Sequence, residues 1–503
     1  MSSSPQSLLP ETDLEAHSSI PLCVDLDGTL VKSDTLVDST LALARQHPSL
    51  LLQIPRWLAE GKAALKRHIT SSVELDVVHL PYNRELLQFL EQQRAAGRDL
   101  YLATAADSSL AHRVSDHLGL FRGVLASNGS INLAGSNKLA AFRERFGDRF
   151  SYIGNASADL SLLRVCFQPM VANPTRGLSS GLRSAGITVH RAFSEARSPL
   201  KAWLKAIRLH QWSKNVLLFL PLLLAHAQSL GLLAGAALAF VSFGLCASAT
   251  YIINDLLDIE ADRLHPRKRN RPFAAGDLSA LHGAVIILVL FLASLGLALL
   301  VPRAIAVISP ELTLGHPYRF LKWLTFYTMA TLAYSLRLKR AILIDVIVLS
   351  GLYTVRIIAG SAATGVEVST WLAGFSIFFF LSLAFVKRFA ELENLRARGG
   401  VSSKGRGYHI DDIEQLRSFG SASAYASVVV FTLYISNLSN ATELYKHNNR
   451  LWLLVPVLLL WLSRLWLIAS RGLLDEDPVV YAITDKRSLF LGIAVVAIVL
   501  SAL

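Results

Sequence analysis

From residue 215 onward the sequence is a series of apolar runs broken by short polar loops, and this pattern limits the fold more than any other feature. The runs fall at roughly 215–230, 232–253, 283–302, 321–336, 341–361, 371–386, 421–437, 451–469 and 488–503. Several approach the roughly 20 residues that a helix needs to cross hydrocarbon, where each backbone polar group must be satisfied within the segment. The expectation is an all-α bundle of about nine membrane helices over 213–503. Residues before 205 have the composition of a soluble protein. They predict a polar, flexible terminus over 1–19, a folded domain over 20–195 and a linker over 196–212. The first 20 residues have no apolar core of the kind a secretory signal carries, so the soluble domain is expected in the cytosol.

The chain carries a net charge of +12, most of it in loops. Lys and Arg are dense after the second, fourth, sixth and eighth apolar runs and sparse after the others. That asymmetry places the even loops and the amino-terminal domain on the cytosolic side of a prokaryotic cytoplasmic or inner membrane. It accounts for the charge without a nucleic-acid partner. Cys23, Cys166 and Cys246 lie far apart in apolar contexts and suggest neither a disulfide nor a metal framework.

Residues 254–271 read N-D-L-L-D-I-E-A-D-R-L-H-P-R-K-R-N-R, at the end of the second apolar run. Asn254, Asp258 and Asp262 are spaced four apart and share one helix face, with Asp255 beside it. Three carboxylates at a membrane edge repel one another and resist burial unless cations lie between them. Magnesium ions with oxygen ligands hold diphosphates in this way. Arg263, Arg267, Lys268, Arg269 and Arg271 follow and suit further phosphate charge, Lys268 and Arg271 above all. The alternative is a solvated helix end with local Asp–Arg pairs. A second constellation is Tyr334 to Lys339, with Asp345 beyond it as a weaker metal or ribose candidate. Arg356 stands inside an apolar run, where arginine is costly and faces the bundle interior, toward an anionic substrate or in an interhelical hydrogen bond. Lys214, Lys387 and Arg388 are further basic candidates.

The acid-rich helix end and its basic tail resemble the UbiA superfamily of intramembrane prenyltransferases, over about residues 200–503. The stretches from His210 to Asn215, Tyr334 to Lys339, Val355 to Gly360, Phe385 to Leu392 and Asp475 to Arg487 are similar to its polyprenyl-phosphate phosphoribosyltransferase branch. Leu349 stands where many prenyl-diphosphate users carry a second acid, four residues after Asp345. The resemblance implies Mg²⁺-dependent transfer of 5-phosphoribosyl from phosphoribosyl diphosphate to a polyprenyl phosphate. Asn254, Asp255, Asp258 and Asp262 would hold metal and diphosphate, and Tyr334, Lys339, Arg356, Lys387, Arg388 and Lys214 would serve the substrates. The rivals are transfer of a prenyl group from prenyl diphosphate to an aromatic or other acceptor, and a lipid-binding or transport protein.

Residues 20–30 read I-P-L-C-V-D-L-D-G-T-L, a buried-strand pattern ending in D-x-D-G-T. With Thr104 at the end of a second strand, Lys138, and Asn155 and Asp159 after a third, this resembles the haloacid dehalogenase-like phosphatases. The likeness implies a Rossmann-like α/β fold with a helical cap over about 34–85. It implies Asp25 as nucleophile, Asp27 as general acid and base, Thr104 and Lys138 as phosphoryl holders. Asp25, Asp27, Asn155 and Asp159 would bind Mg²⁺. Asn155 departs from the family's usual Asp, which leaves a regulatory or docking role open beside a phosphatase. A phosphatase joined to a phosphoribosyltransferase would remove the 5-phosphate from the lipid product.

Overall fold

The computed structural model describes residues 20–194, 198–312, 314–397, 399–400, 406–441, 445–474 and 478–502. The terminus 1–19, residues 196–197 of the expected linker and Asp475 to Asp477 of the last motif lie outside them. The chain divides into two compact units: Met1–Ile207 with Tyr251–Ile287, and Arg208–Thr250 with Leu288–Leu503. The acid run therefore belongs to the same unit as the amino-terminal domain.

That unit is built on a parallel sheet of six strands: β1 (Leu22–Val24), β2 (Leu100–Asp107), β3 (Gly123–Ser127), β4 (Ser151–Gly154), β5 (Pro169–Ala172) and β6 (Arg191–Phe193). Their order is β3-β2-β1-β4-β5-β6. Strand β1 is short and apolar because it is covered on both faces. Leu22 and Val24 pack with Leu86, Leu90 and Leu110 on one side, and Cys23 packs with Tyr101, Tyr152 and Phe142 on the other. The register pairs Val24 with Leu102 of β2 and with Ile153 of β4. The chain order reverses at β1, so Asp25 leaves the sheet at the crevice where doubly wound folds bind ligands. The cap region is helical, as expected, with helices Thr35–Gln46, Ile54–Ala59 and Lys62–Ser72. Asp34 caps the first by accepting from the N–H groups of Leu36 and Val37. The stretch read as linker contains a helix, Pro199–Ile207.

The second unit is helical. Among the described residues six helices of the chain are long and apolar enough to cross a membrane: Leu230–Leu257, Ala280–Ile308, Ile344–Thr364, Thr370–Arg396, Ile410–Asn437 and Asn448–Ser470. The chain is an integral membrane protein by this measure, and three of the nine expected spans are not among these six described helices. The first expected span is split between a 3₁₀ stretch, Leu209–Phe219, and a five-residue helix, Leu220–Leu224. Arg319–Leu336 opens with Arg319 and Lys322, and Lys486–Ala502 is only 17 residues long. Helix Ala280–Ile308 leaves Leu281, Val285, Leu288 and Leu292 exposed, a surface suited to lipid.

Candidate active sites

In the first unit, the end of β1 gathers the carboxylates of the D-x-D-G-T run and several of their expected partners. Lys138, on helix Ser136–Phe146, donates to Asp25 Oδ1 at 2.8 Å and lies 3.9 Å from Asp159 Oδ1. Asp27 Oδ1 accepts the Thr35 N–H at 2.7 Å, which ties the cap's first helix to the strand end. Thr104 is buried, its hydroxyl accepting the Ala106 N–H at 3.0 Å. Asp159 accepts from the Tyr152 hydroxyl on one oxygen and from the N–H groups of Asn155 and Ala156 on the other. Gly28 has φ +72°, and a β-carbon there would stand 1.9 Å from Asn155 Nδ2. The glycine thus lets the Asn155 amide close over the turn that carries Asp25 and Asp27. The sequence reading missed Lys66 and Tyr152. Lys66 reaches from the cap to the Ala105 carbonyl at 2.6 Å and to Asn132 Oδ1 at 2.9 Å. No spacing rule marks it, since it approaches from a separate helix.

Burial, and then the charge of Asp34, push Asp27 up to about 7. Burial also holds Asp25 above the ordinary carboxylate range, with Lys138 opposing and Asp159 adding to the rise. Lys138 is buried too, but its two carboxylate neighbours outweigh burial and keep its ammonium charged. A divalent cation beside Asp25 would lower its value again. Among the described residues no three or more His, Cys, Asp or Glu are gathered as a metal cage. Mg²⁺ needs less: one or two carboxylates, with water and phosphate completing its shell. The oxygens of Asp25, Asn155 and Asp159 fit that demand.

The acid run lies in the same unit. Helix Leu230–Leu257 breaks at Asp258 and resumes as Ile259–Leu264. The bonds Asp258 N–H to Asn254 carbonyl (3.0 Å) and Asp262 N–H to Asp258 carbonyl (2.8 Å) carry the helical spacing through the break. The shared face of Asn254, Asp258 and Asp262 therefore survives. Asp255 and Asp262 are buried, 2% and 3% exposed, and both accept from Arg271 Nη1, at 3.0 and 2.7 Å. Burial raises Asp262, with Arg271 opposing. This is the local Asp–Arg pairing given above as the alternative, though with both carboxylates buried; one or two carboxylates, with water and phosphate completing the shell, are also what Mg²⁺ needs. Lys268 lies in the turn Lys268–Asn270 between them and Arg271. Arg263 faces elsewhere: its guanidinium is paired with Asp38 at 2.8 Å.

In the second unit the basic candidates are largely engaged by protein. Arg356 Nε donates to Asn215 Oδ1, Nη2 to the Tyr327 hydroxyl and Nη1 to the Leu352 carbonyl, at 3.0, 3.0 and 2.5 Å. Its guanidinium also lies over the Phe243 and Tyr353 rings. This is the interhelical hydrogen-bond arrangement. Lys214 sits 5.5 Å from the Tyr353 ring centre, beside the same cluster. Arg388 donates to Asp345 Oδ2 at 2.6 Å, to Glu391 at 2.5 Å and to the Tyr334 hydroxyl at 3.1 Å. Asp345 Oδ1 accepts no hydrogen bond among the described residues. Lys339 lies in the turn Leu338–Arg340, and Lys387 precedes Arg388 on helix Thr370–Arg396. The Arg388 and Asp345 side chains are 2% and 0% exposed. Arg388→Met should therefore destabilise the folded chain by about 3 kcal/mol or more, because it strands a buried carboxylate. Thermal unfolding in detergent measures this, and adding Asp345→Asn should recover part of the loss. A loss under about 1 kcal/mol would place the pair in water, as at a protein surface.

The UbiA prenyltransferase family model matches residues 216–491. An uncharacterized protein, y4nM, from Sinorhizobium fredii is 39% identical over 477 residues, 94% of this chain and 89% of its own length. A decaprenyl-phosphate phosphoribosyltransferase from Mycobacterium tuberculosis is 34% identical over 235 residues, 46% of this chain and 72% of its own. A HAD-family hydrolase from Salmonella enterica aligns in structure over 37% of this chain and 77% of its own, with 14% identity and a TM-score of 0.26. With more than half of its length matched, the chain belongs to the UbiA prenyltransferase family.

Proposed function

We propose that the protein transfers 5-phosphoribosyl from phosphoribosyl diphosphate to a polyprenyl phosphate, and that its amino-terminal domain then removes the 5-phosphate. The observation that carries the first step is the buried Asp255–Arg271–Asp262 cluster within a chain similar to decaprenyl-phosphate phosphoribosyltransferases. The lipid phosphate oxygen attacks C1 of the ribose, the C1–O bond breaks, and pyrophosphate departs with its electron pair. Asn254, Asp255, Asp258 and Asp262 would hold Mg²⁺, which supplies charge neutralisation for the diphosphate. Arg271 and Lys268 bind its remaining charge, and the apolar helices keep water from the forming cationic centre. The acceptor phosphate is already anionic, so no strong base is required.

In the second step Asp25 attacks the phosphorus of the lipid-borne phosphomonoester. Asp27 protonates the departing alcohol, then takes a proton from the water that cleaves the aspartyl phosphate. A group near 7 suits both tasks at neutral pH. Lys138 and the Thr104 hydroxyl hold the phosphoryl oxygens, and Mg²⁺ at Asp25, Asn155 and Asp159 would neutralise their charge. The domain arrangement is a phosphatase unit over 20–195 and a nine-helix transferase over 213–503, with the active-site loops cytosolic.

The test is donor choice. Full-length protein in lipid vesicles with Mg²⁺ and polyprenyl phosphate should consume phosphoribosyl diphosphate and release pyrophosphate. Turnover of a prenyl diphosphate with an aromatic acceptor, and none of phosphoribosyl diphosphate, would move the protein to the ordinary prenyltransferase reaction.

A further inference from the structure

The phosphatase-like cavity measures 530 Å³, and only part of its wall comes from the sheet and cap. Asp25, Lys66, Lys138 and Asn155 line its polar end. The opposite wall is made by Ile259, Phe273, Leu278, Ser279, Ala280 and His282, which belong to the stretch after the acid run. Two contacts hold that stretch in place. Arg263, with its side chain 4% exposed, pairs with Asp38 at 2.8 Å, and Asp38 sits in the first turn of the helix whose Thr35 N–H binds Asp27. A charge pair this deeply buried demands its geometry, since either partner alone would be stranded. Gly276 has φ +71°, and a β-carbon there would come within 2.7 Å of Lys32 Cβ, so the turn presses directly on the strand-end loop. Ala280 and His282 then begin helix Ala280–Ile308, a candidate membrane span. The cavity thus runs from the nucleophile to the first turn of a segment that enters the bilayer. Its far wall is mainly apolar, with Ser279 and His282 as polar points.

We propose that residues 259–282 form the substrate-recognition wall of the phosphatase cavity, and that the cavity takes a phosphomonoester carried on a membrane-anchored polyprenyl lipid in preference to a free sugar phosphate. This rests on the reading of Asp25 as a phosphatase nucleophile. A soluble sugar phosphate has no part to lay against Leu278 and Phe273, and it gains nothing from a cavity that ends at a membrane helix. A lipid-linked sugar phosphate reaches the nucleophile while its isoprenoid stays in the bilayer.

The experiment uses the full chain in vesicles with three substrates: a polyprenyl-phosphoryl ribose 5-phosphate, free ribose 5-phosphate and p-nitrophenyl phosphate. The lipid-borne substrate should exceed ribose 5-phosphate in kcat/KM by about 100-fold, the scale at which pocket contacts discriminate. Ser279→Trp and His282→Ala, both at exposed positions, should lower the ratio of lipid-borne to p-nitrophenyl phosphate turnover by about 10-fold. Equal use of lipid-borne and free ribose 5-phosphate, or an unchanged ratio in both variants, overturns the proposal while leaving the phosphatase reading intact. No hydrolysis of any of the three substrates by the unmodified chain sinks the phosphatase reading itself, and this proposal with it.

Discussion

Asp25→Asn should abolish phosphomonoester hydrolysis, with a fall in turnover of about 10⁶-fold, the scale for loss of a covalent nucleophile. The substitution keeps the side chain's size and its place beside Lys138, which donates to Asp25 Oδ1 at 2.8 Å. It removes the negative oxygen that would attack phosphorus in the proposed hydrolysis. Lys138 then faces an amide and Asp159, so one buried charge pair is weakened and the other remains. The chain should still fold, because the strand end is fixed independently by the parallel register of β1 with β2 and β4. Supplied with phosphoribosyl diphosphate and polyprenyl phosphate, this variant should accumulate the 5-phosphorylated lipid, and mass spectrometry would detect the extra phosphate. If variant and unmodified chain yield the same product, the amino-terminal domain does not act on the lipid.

Asp25, Lys138 and Asp159 lie together, and the apolar runs before Asp25 and Asn155 mark where the chain leaves the sheet. Thr104, expected at a strand end, stands inside β2, and Asp159 lies in the short 3₁₀ turn Ser157–Asp159. Lys138, on a separate helix, was readable only through the family likeness. Lys66 and Tyr152 escaped notice for a related reason: one comes from the cap and the other from inside β4, where a tyrosine is indistinguishable from core. The acid run keeps its helical spacing, and its division at Asp258 was not foreseen. The basic residues after it look alike in sequence, yet Arg271 turns to Asp255 and Asp262 while Arg263 turns to Asp38. Local spacing cannot separate them, because Asp38 lies 225 residues earlier in the chain. Three of the nine expected spans do not stand out as long apolar helices among the described residues; Lys486–Ala502, for one, is 17 residues long. Arg388 shows the same limit: its partner Asp345 lies 43 residues away on another helix.

Asp262→Ala should reduce phosphoribosyl transfer by about 10³-fold in kcat/KM, the upper end for removing one group that stabilises transition-state charge. Asp255 and Asp262 lie on either side of Arg271 Nη1, both nearly excluded from solvent. Each carboxylate is tolerated there because positive charge sits between them. Without Asp262, a cation at this place has lost one of its hard ligands, and Arg271 stays fixed to Asp255 alone. Pyrophosphate release from phosphoribosyl diphosphate measures the loss, and the Mg²⁺ concentration for half-maximal rate should rise with it. Asp262→Asn separates charge from geometry, since the amide oxygen still accepts from Arg271 but carries no charge. If Asp262→Asn transfers as well as the unmodified chain, the carboxylate serves only to hold Arg271 in place. If it fails nearly as badly as Asp262→Ala, charge toward the cation is what the position provides. Arg271→Met completes the set. It leaves two buried carboxylates opposed, so raised Mg²⁺ should rescue it more than it rescues Asp262→Ala, because the added cation replaces the missing positive group but cannot replace a missing ligand.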